Sequence, residues 1–153
     1  MRFFIVVLTL LLAAQAYDRA TSAQFSGQKL LVSTQGAYMR AAFRGPNEDR
    51  EWYVDSTPRR KHCTKWHAED HDRKVALKSA YFKDMYMRAN RNGFVDLVRD
   101  SVEQSTKWTP MKLPNGKWTL KSSYGTYLLF KDDGNVTLTT NNNAEAQFWL
   151  ENW

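Results

Sequence analysis

The residues best equipped for chemistry in this chain lie together in one short polar segment. It holds all three histidines and the only cysteine: His62, Cys63, His67 and His71. Imidazole and thiolate are ligands that zinc and copper prefer, and acidic residues are interleaved with them. The spacing matches no recognised metal motif, because the step from His67 to His71 suits a helix and no helical pattern covers it. We interpret the segment as a charged surface linker, with a weak surface metal site as the alternative.

A second chemical feature is a dense run of cations just before this segment. Arg59, Arg60 and Lys61 follow Pro58, and Lys65 lies close behind. Arginine pairs bidentately with sulfate or phosphate oxygens, so consecutive cations in a loop suit a sulfated polysaccharide. The alternative is a solvated loop that is held open by its own charge repulsion and binds nothing.

Neither feature carries a recognised catalytic motif. The chain has no Gly-x-Ser-x-Gly elbow, no His-Glu-x-x-His pair, no phosphate-binding loop and no dinucleotide fingerprint. Cys63 and His67 could form a nucleophile and its base, but nothing evident would supply an oxyanion hole or exclude water. We predict that the protein is not an enzyme and uses no cofactor.

Cys63 also bears on the covalent state of the protein, because it has no partner within the chain. The fold must therefore stand on its apolar core rather than on internal disulfides. The thiol is buried and inert, free and reactive, or half of an intermolecular bridge. Its neighbours Lys61, His62 and Lys65 would favour the thiolate and hence reactivity. A monomer and a Cys63-linked homodimer both stay open.

The elements that carry these residues are repeated along the chain. Thr64-Lys65-Trp66 returns as Thr106-Lys107-Trp108, Gln147-Phe148-Trp149 has the same form, and the tryptophans are 42 and then 41 residues apart. Such a period is typical of proteins built from copies of one supersecondary unit. Each copy contains four short runs that alternate apolar with polar residues, which predicts strands. We assign the three tryptophans Trp66, Trp108 and Trp149 to the core.

Turn signals separate these runs and complete the fold prediction. Asn92-Gly93, Pro114-Asn115-Gly116 and Asp132-Asp133-Gly134-Asn135 supply the positive φ angles of tight hairpins, and Gly45-Pro46-Asn47 marks a further turn. Three copies of four strands indicate an all-β, closed β-trefoil: a barrel with a hairpin cap and no exposed sheet edge. An irregular sandwich with chance repeats is the alternative. We place one trefoil domain at residues 28–153.

The third copy carries the residues of a known repeat. They are Leu120-Lys121-Ser122, Tyr124-Gly125, Tyr127-Leu128, Asp133-Gly134, Phe148-Trp149 and Glu151. This pattern resembles the fascin-like, or actin-crosslinking-like, β-trefoil repeat, more closely than the second and first copies do. The resemblance implies that Tyr-Leu fills the barrel, Asp-Gly turns a hairpin and the terminal Phe or Trp plugs the core. It implies the fold more than the function, because trefoils carry many unrelated activities.

The first sixteen residues, 1–16, have the three parts of a secretory signal peptide. A positive start precedes the apolar run from Phe3 to Leu12, and Ala14-Gln15-Ala16 is a small-x-small cleavage site. The apolar run is too short to span a membrane. We expect a mature chain of 137 residues that starts at Tyr17 with a flexible lead-in over 17–27. The protein should be secreted and extracellular, which argues against cytoplasmic actin bundling.

The net charge of the chain favours anionic partners. It is +6 for the whole sequence and +5 without the signal peptide, from 21 basic and 16 acidic residues. Exported basic proteins attract sulfated glycans, membrane surfaces and acidic proteins. Nucleic acid would use the same charge, but no recognised nucleic-acid motif is present. Asn135-Val136-Thr137 is a glycosylation sequon on a predicted hairpin tip, which predicts modification of Asn135, although such short sequons are common by chance.

Two non-enzymatic functions fit these features. The first is a secreted effector that binds a protein target such as a receptor, channel or protease through variable loops on a rigid barrel. The short signal, small basic chain and single cysteine resemble salivary effectors of blood-feeding flies, among them black-fly vasodilators, which implies vasodilator or anti-haemostatic action on a host. The second is a lectin-like or glycosaminoglycan-binding module that uses the basic loop 59–65. Because the repeated tryptophans are assigned to the core, we expect no trivalent sugar-binding surface.

Overall fold

The computed structural model describes residues 2–44, 51–100 and 103–153, and it shows a β-trefoil. One helix, α1 (Arg2–Phe25), precedes twelve strands. The strands are β1 (Gly27–Ser33), β2 (Tyr38–Arg44), β3 (Glu51–Thr57), β4 (Trp66–Asp70), β5 (Val75–Ser79), β6 (Met85–Ala89), β7 (Val95–Arg99), β8 (Lys107–Lys112), β9 (Trp118–Lys121), β10 (Tyr127–Phe130), β11 (Val136–Thr139) and β12 (Phe148–Asn152). Met1 and the turn at Gly45-Pro46-Asn47 lie outside the described residues.

Each copy contributes four strands, as the sequence repeat predicts. The first and last strands of the copies form the barrel, in which β1 pairs with β4 and β12, β5 with β4 and β8, and β9 with β8 and β12. The middle strands form the hairpins β2–β3, β6–β7 and β10–β11. Bridges between these hairpins, such as Tyr53 with Asp96 and Phe94 with Thr137, join them into a cap over one end of the barrel.

The fourth strand of each copy sends one large aromatic ring into the core. Trp66 and Trp108 are completely buried, and their indole Nε1 groups donate to the carbonyls of Met39 (3.1 Å) and Met87 (3.2 Å). Both assignments are confirmed. Each indole therefore contributes apolar packing and also satisfies a backbone acceptor of a cap hairpin.

The assignment of Trp149 to the core is wrong. Phe148 is the completely buried ring of the third copy, whereas Trp149 is 43% exposed beneath the Lys117 ammonium group, which lies 5.4 Å from its ring. The physical reason is the two-residue period of a strand, which turns consecutive side chains to opposite faces. A one-residue offset in the repeat therefore places Phe148 where Trp66 and Trp108 lie in the other copies.

The lead-in expected to be flexible over 17–27 is ordered in the structure. Helix α1 continues through it to Phe25, whose buried ring packs edge-on against Trp118 (5.3 Å) and Phe148 (6.4 Å). The Ser22 hydroxyl donates to Asp70 Oδ1 at 3.0 Å. Helix α1 contacts β4 and β8, so its last turn closes the barrel end opposite the hairpin cap. Burial of Phe25 is a tertiary effect that the local composition does not reveal.

The first part of α1 differs from its last turn, because its apolar side chains from Phe4 to Leu12 are exposed. Within the described residues one helical span, Phe4–Phe25, is long and apolar enough to cross a membrane, and an N-terminal signal sequence meets the same criterion. An exposed apolar run before a docked turn is compatible with the predicted signal peptide.

Candidate functional site

An open groove of about 760 Å³ lies at the junction between the first and second copies. Three pieces of chain line it: the end of β2 with Tyr53 of β3, the loop from Arg60 to Lys65, and the turn after β5 at Tyr81 and Phe82. We call this site the first-junction groove. It joins part of the predicted basic loop to aromatic residues that the sequence analysis did not single out.

One side of the first-junction groove is cationic. Arg60, Lys61 and Lys65 line it, whereas Arg59 is exposed but lies outside the lining. None of these four forms an ion pair with a described residue, and no described Asp or Glu lines the groove. Lys65 Nζ lies 4.9 Å from the centre of the Trp153 ring. Among the described residues, the groove therefore presents positive charge that no carboxylate pairs.

Arg40 also lines the groove, but its charge is already matched. Its Nε and Nη2 atoms donate to the two carboxylate oxygens of Asp55 at 2.8 and 2.6 Å. This bidentate hydrogen bonding raises the pKa of Arg40 above its usual value, against the opposing effect of burial. Arg40 therefore forms part of the groove wall, and its charge is paired with Asp55 rather than available to a ligand.

The other side of the groove is aromatic. A chain of ring contacts runs from Phe43 to Trp52 (4.6 Å), to Phe82 (5.0 Å) and on to Tyr81 (4.8 Å). Phe43 is 38% exposed and Tyr81 is 60% exposed, so both rings offer apolar surface to a ligand. Trp52 is only partly buried and packs against the core. The wall thus links the β2–β3 hairpin to the second copy.

The aromatic wall exists because the first hairpin is longer than the other two. Strands β2 and β3 have seven residues each, compared with five in β6 and β7 and four in β10 and β11. Phe43 and Trp52 are paired in register within this extension. The corresponding places in the other copies hold the turns at Gly93 and Gly134, both with positive φ. The sequence did contain a signal for this site: aromatic residues stand at positions where the other copies have turn residues.

The candidate metal ligands are distributed over different elements. His62 and Cys63 line the groove, His67 lies on β4 with its ring 5.3 Å from that of Trp153, and His71 follows the end of β4. The prediction of a surface linker is wrong for the middle of this segment, since Trp66–Asp70 form β4, a strand of the barrel. In the described ranges no three His, Cys, Asp or Glu side chains are grouped to hold a metal ion.

The predicted glycosylation site lies on an exposed turn. Asn135 follows Gly134 between β10 and β11, in agreement with the expected hairpin tip. Its backbone N–H and its Nδ2 donate to the two oxygens of Asp133 at 3.0 and 2.9 Å. These hydrogen bonds also hold the pKa of Asp133 below its usual value. Modification of Asn135 stays a prediction.

No known family model matches the sequence, and no curated protein matches it. Among solved structures, a mosquitocidal holotoxin superposes with a TM-score of 0.72 at 12% identity over 84% of this chain, which spans only 17% of the toxin's length. Hisactophilin gives 0.65 at 20% identity, with 83% of this chain and 99% of that chain covered. SeviL bound to asialo-GM1 saccharide gives 0.63 at 12% identity, with 83% and 98% covered. At these identities the likeness establishes the β-trefoil fold alone.

Proposed function

We propose that this protein is an exported, non-enzymatic binding module whose first-junction groove binds an acidic glycan. The observation that carries the proposal is the meeting of two surfaces in one groove: Arg60, Lys61 and Lys65 on one side, and the exposed rings of Phe43 and Tyr81 on the other. Saccharide-bound and toxin structures share this fold, which supports a binding module in general.

The two sides would recognise different parts of such a ligand. The Arg60 guanidinium group can pair bidentately with a sulfate or carboxylate, and the lysines act as point charges. Sugar rings have an apolar face, which packs on aromatic surfaces such as those of Phe43 and Tyr81. A groove that is open along its length accepts a unit within a longer chain. A sulfated or uronate-containing polysaccharide, of the glycosaminoglycan type, has all of these properties.

The magnitudes predict a moderate affinity that depends on salt. A hydrogen bond to a charged group contributes about 1.5–3 kcal/mol, so removal of one cation should weaken binding by roughly tenfold to somewhat over a hundredfold, and removal of two by more. Exposed charges are screened over about 8 Å at physiological ionic strength. The electrostatic part of the affinity should therefore fall as salt rises, while the aromatic contribution remains.

The test is calorimetric titration of the mature chain with heparin oligosaccharides of defined length. We expect the double variant Arg60→Ala/Lys61→Ala to lose roughly tenfold or more in affinity. Tyr81→Ala should lose about threefold to tenfold through the missing ring. Arg59→Ala is the matched control, since Arg59 carries the same charge in the same loop but lies outside the lining, and it should change affinity by less than about twofold.

Two results would overturn this proposal. One is a loss with Arg59→Ala as large as the loss per cation in the double variant, which would mean that binding is a generic attraction to net charge. The other is unchanged affinity in both Tyr81→Ala and the double variant, which would place any heparin-binding surface elsewhere on the protein.

A second candidate is an effector of a protein target, in which the same groove would bind a protein. Exposed aromatic rings beside arginine are the residue types that dominate protein interfaces. Salivary action on a host, as in the black-fly erythema-inducing vasodilator that the sequence resembles, belongs to this class. Vessel-tone and clotting assays decide between the two. If Tyr81→Ala abolishes activity in a protein that does not bind heparin oligosaccharides, the effector function is favoured.

A further inference from the structure

The trefoil places equivalent pieces of chain at each of its three junctions, and a second pocket occurs at the third. It has a volume of about 310 Å³ and lies between the third and first copies. Its walls are the turn after β1 (33–37), the end of β3 with Pro58, and the turn after β10 (131–134), together with Glu145 and Gln147. The turns after β1 and β10 and the pair Glu145 and Gln147 are the counterparts of the three pieces that line the first-junction groove, and the end of β3 is an additional wall. We call this site the third-junction pocket.

The third-junction pocket has the opposite chemistry to the groove. Because Phe148 corresponds to Trp66, Gln147 takes the place of Lys65 and Glu145 that of Cys63. Asp132 and Glu145 both line the pocket, and neither carboxylate has an ion pair or side-chain hydrogen bond within the described residues. With Lys131 also in the lining, the titratable groups of the pocket sum to a small negative charge, on a protein that is basic overall.

The same pocket also offers hydrogen-bond donors. Gln147 Oε1 accepts a hydrogen bond from Asn115 Nδ2 at 3.1 Å. That contact orients the amide group and leaves the two N–H bonds of Nε2 for another partner. Gln35 contributes a second amide to the lining. Residues with acceptor and donor side chains therefore line one small volume together with the buried Phe130.

The walls of the third-junction pocket are held in place by backbone contacts. Ser33 Oγ accepts hydrogen bonds from the backbone N–H groups of Gln35 and Ala37 at 3.3 and 3.0 Å. The Ser56 N–H donates to the carbonyl of Gly134 at 2.8 Å, which ties the turn after β10 to β3. Asp133 fixes the shape of that turn through its two hydrogen bonds with Asn135. A pocket with preset walls loses little conformational entropy when a ligand binds.

We propose that the third-junction pocket is a second ligand site, for a neutral polyhydroxylated group such as one or two sugar units without acidic substituents. Hydroxyl groups would donate to the carboxylates of Asp132 and Glu145 and accept from Gln147 Nε2. A volume near 310 Å³ lies at the lower end of the range of small-molecule pockets. An acidic sugar would meet two carboxylates and be repelled. This site does not depend on the function proposed for the first-junction groove.

The experiment is an NMR titration of the isotopically labelled mature chain with galactose, glucose, mannose and N-acetylglucosamine at millimolar concentrations. We expect at least one sugar to shift the backbone amide signals of residues 33–37 and 131–135 while those of 60–65 stay in place. Asp132→Asn should weaken this binding roughly tenfold. Asp100→Asn is the matched control, because it makes the same chemical change at an exposed residue of the second copy, outside the lining, and should alter affinity by less than about twofold.

The outcomes separate this inference from the proposed function. Neutral-sugar binding that persists in Arg60→Ala/Lys61→Ala would support the pocket whether or not heparin binds. Absence of shifts with all four sugars would overturn the inference. So would shifts at these amides with arginine methyl ester alone, since the carboxylates would then bind a cationic side chain rather than a sugar. Equal losses in Asp132→Asn and Asp100→Asn would also overturn it, because the effect would be one of net charge.

Discussion

The first and second junctions of this trefoil are built from equivalent elements, yet one is an open groove and the other is bridged by a stacked pair. At the first, the seven-residue hairpin strands carry Phe43 and Trp52 beside a cationic loop. At the second, the guanidinium group of Arg91 lies 5.5 Å from the centre of the Tyr124 ring. Hairpin length and loop charge, rather than the barrel, therefore distinguish the two junctions.

The two junctions share their supporting ion pairs, which excludes these pairs as the source of the difference. Arg40 binds Asp55 and Arg88 binds Asp96 with nearly the same bidentate geometry. The third copy replaces this pair with Leu129 opposite Thr137, and its hairpin still forms. The ion pair is thus not required for the hairpin to form. The groove results from the parts of β2 and β3 that extend beyond the pair.

The largest expected effect concerns the frame that all junctions share. Trp108→Ala should lower the free energy of unfolding by about 3–5 kcal/mol, because it removes a fully buried ring and leaves the Met87 carbonyl without its donor. Trp149→Ala, the control at an exposed ring, should lower it by less than about 1 kcal/mol. Urea unfolding of both variants measures the difference. Equal losses would contradict the division into core and surface aromatics.

A difference between copies should appear at high pH. Burial raises the pKa of Tyr86 to about 12, with a further contribution from Glu69, whereas Tyr38 and Tyr127 at the equivalent positions are more exposed. The folded protein disfavours the phenolate. The contribution of neutral Tyr86 to the free energy of unfolding is therefore fully present below the ordinary tyrosine pKa of about 10, and it is lost as the pH rises through about 12. The loss should be roughly 2–3 kcal/mol relative to Tyr86→Phe. Parallel stability curves for the two proteins over this range would contradict the assignment.

Removal of either ion pair should have a smaller effect on stability, and it tests whether the pairs distinguish the first junction from the second. Arg40→Leu/Asp55→Thr and Arg88→Leu/Asp96→Thr both copy the third repeat without changing net charge. Each should change the free energy of unfolding by less than about 1 kcal/mol, because removal of both partners leaves no unpaired buried charge. Heparin-oligosaccharide affinity should stay within about threefold in both. If only the first variant lost binding, Arg40 would contact the ligand directly.

The smallest effect is expected at the second junction. Tyr124→Ala removes the surface on which Arg91 stacks, an exposed cation–π contact of about 0.5–1 kcal/mol. It should not create heparin binding there, because the loop equivalent to the basic loop has Glu103 where that loop has Lys61. Thermal unfolding and the calorimetric titration check both statements. A gain in heparin affinity would show that loop charge matters less than an open junction.

The barrel strands and the hairpins could be predicted from the sequence because they repeat at a regular interval along the chain. The step between Trp66 and Trp108 and the Asn-Gly and Asp-Gly turns are local or regular features, and they predicted the trefoil and its twelve strands. The same reasoning failed at Trp149, because a one-residue offset between copies reverses the face of a strand. It also failed at Phe25, whose burial depends on contacts with Trp118 and Phe148, distant in the chain.

The candidate site was predicted in part, for a similar reason. Arg60, Lys61 and Lys65 formed a visible run, and the structure places all three in the groove. The aromatic wall was missed, since Trp52 and Phe82 come together only through the packing of one copy on the next. Arg59 was included because charge density in a sequence does not show which side chains of a loop face a cavity.

The groove can be tested most directly through Cys63, the only thiol of the chain and a lining residue of the site. The measurement is its alkylation rate with iodoacetamide, in the presence of heparin oligosaccharides or their desulfated counterparts. We predict that the sulfated ligand slows alkylation several-fold, that the desulfated one does not, and that Arg60→Ala/Lys61→Ala abolishes the protection. An unchanged rate in a protein saturated with heparin oligosaccharide would contradict the assignment of the groove as the glycan site.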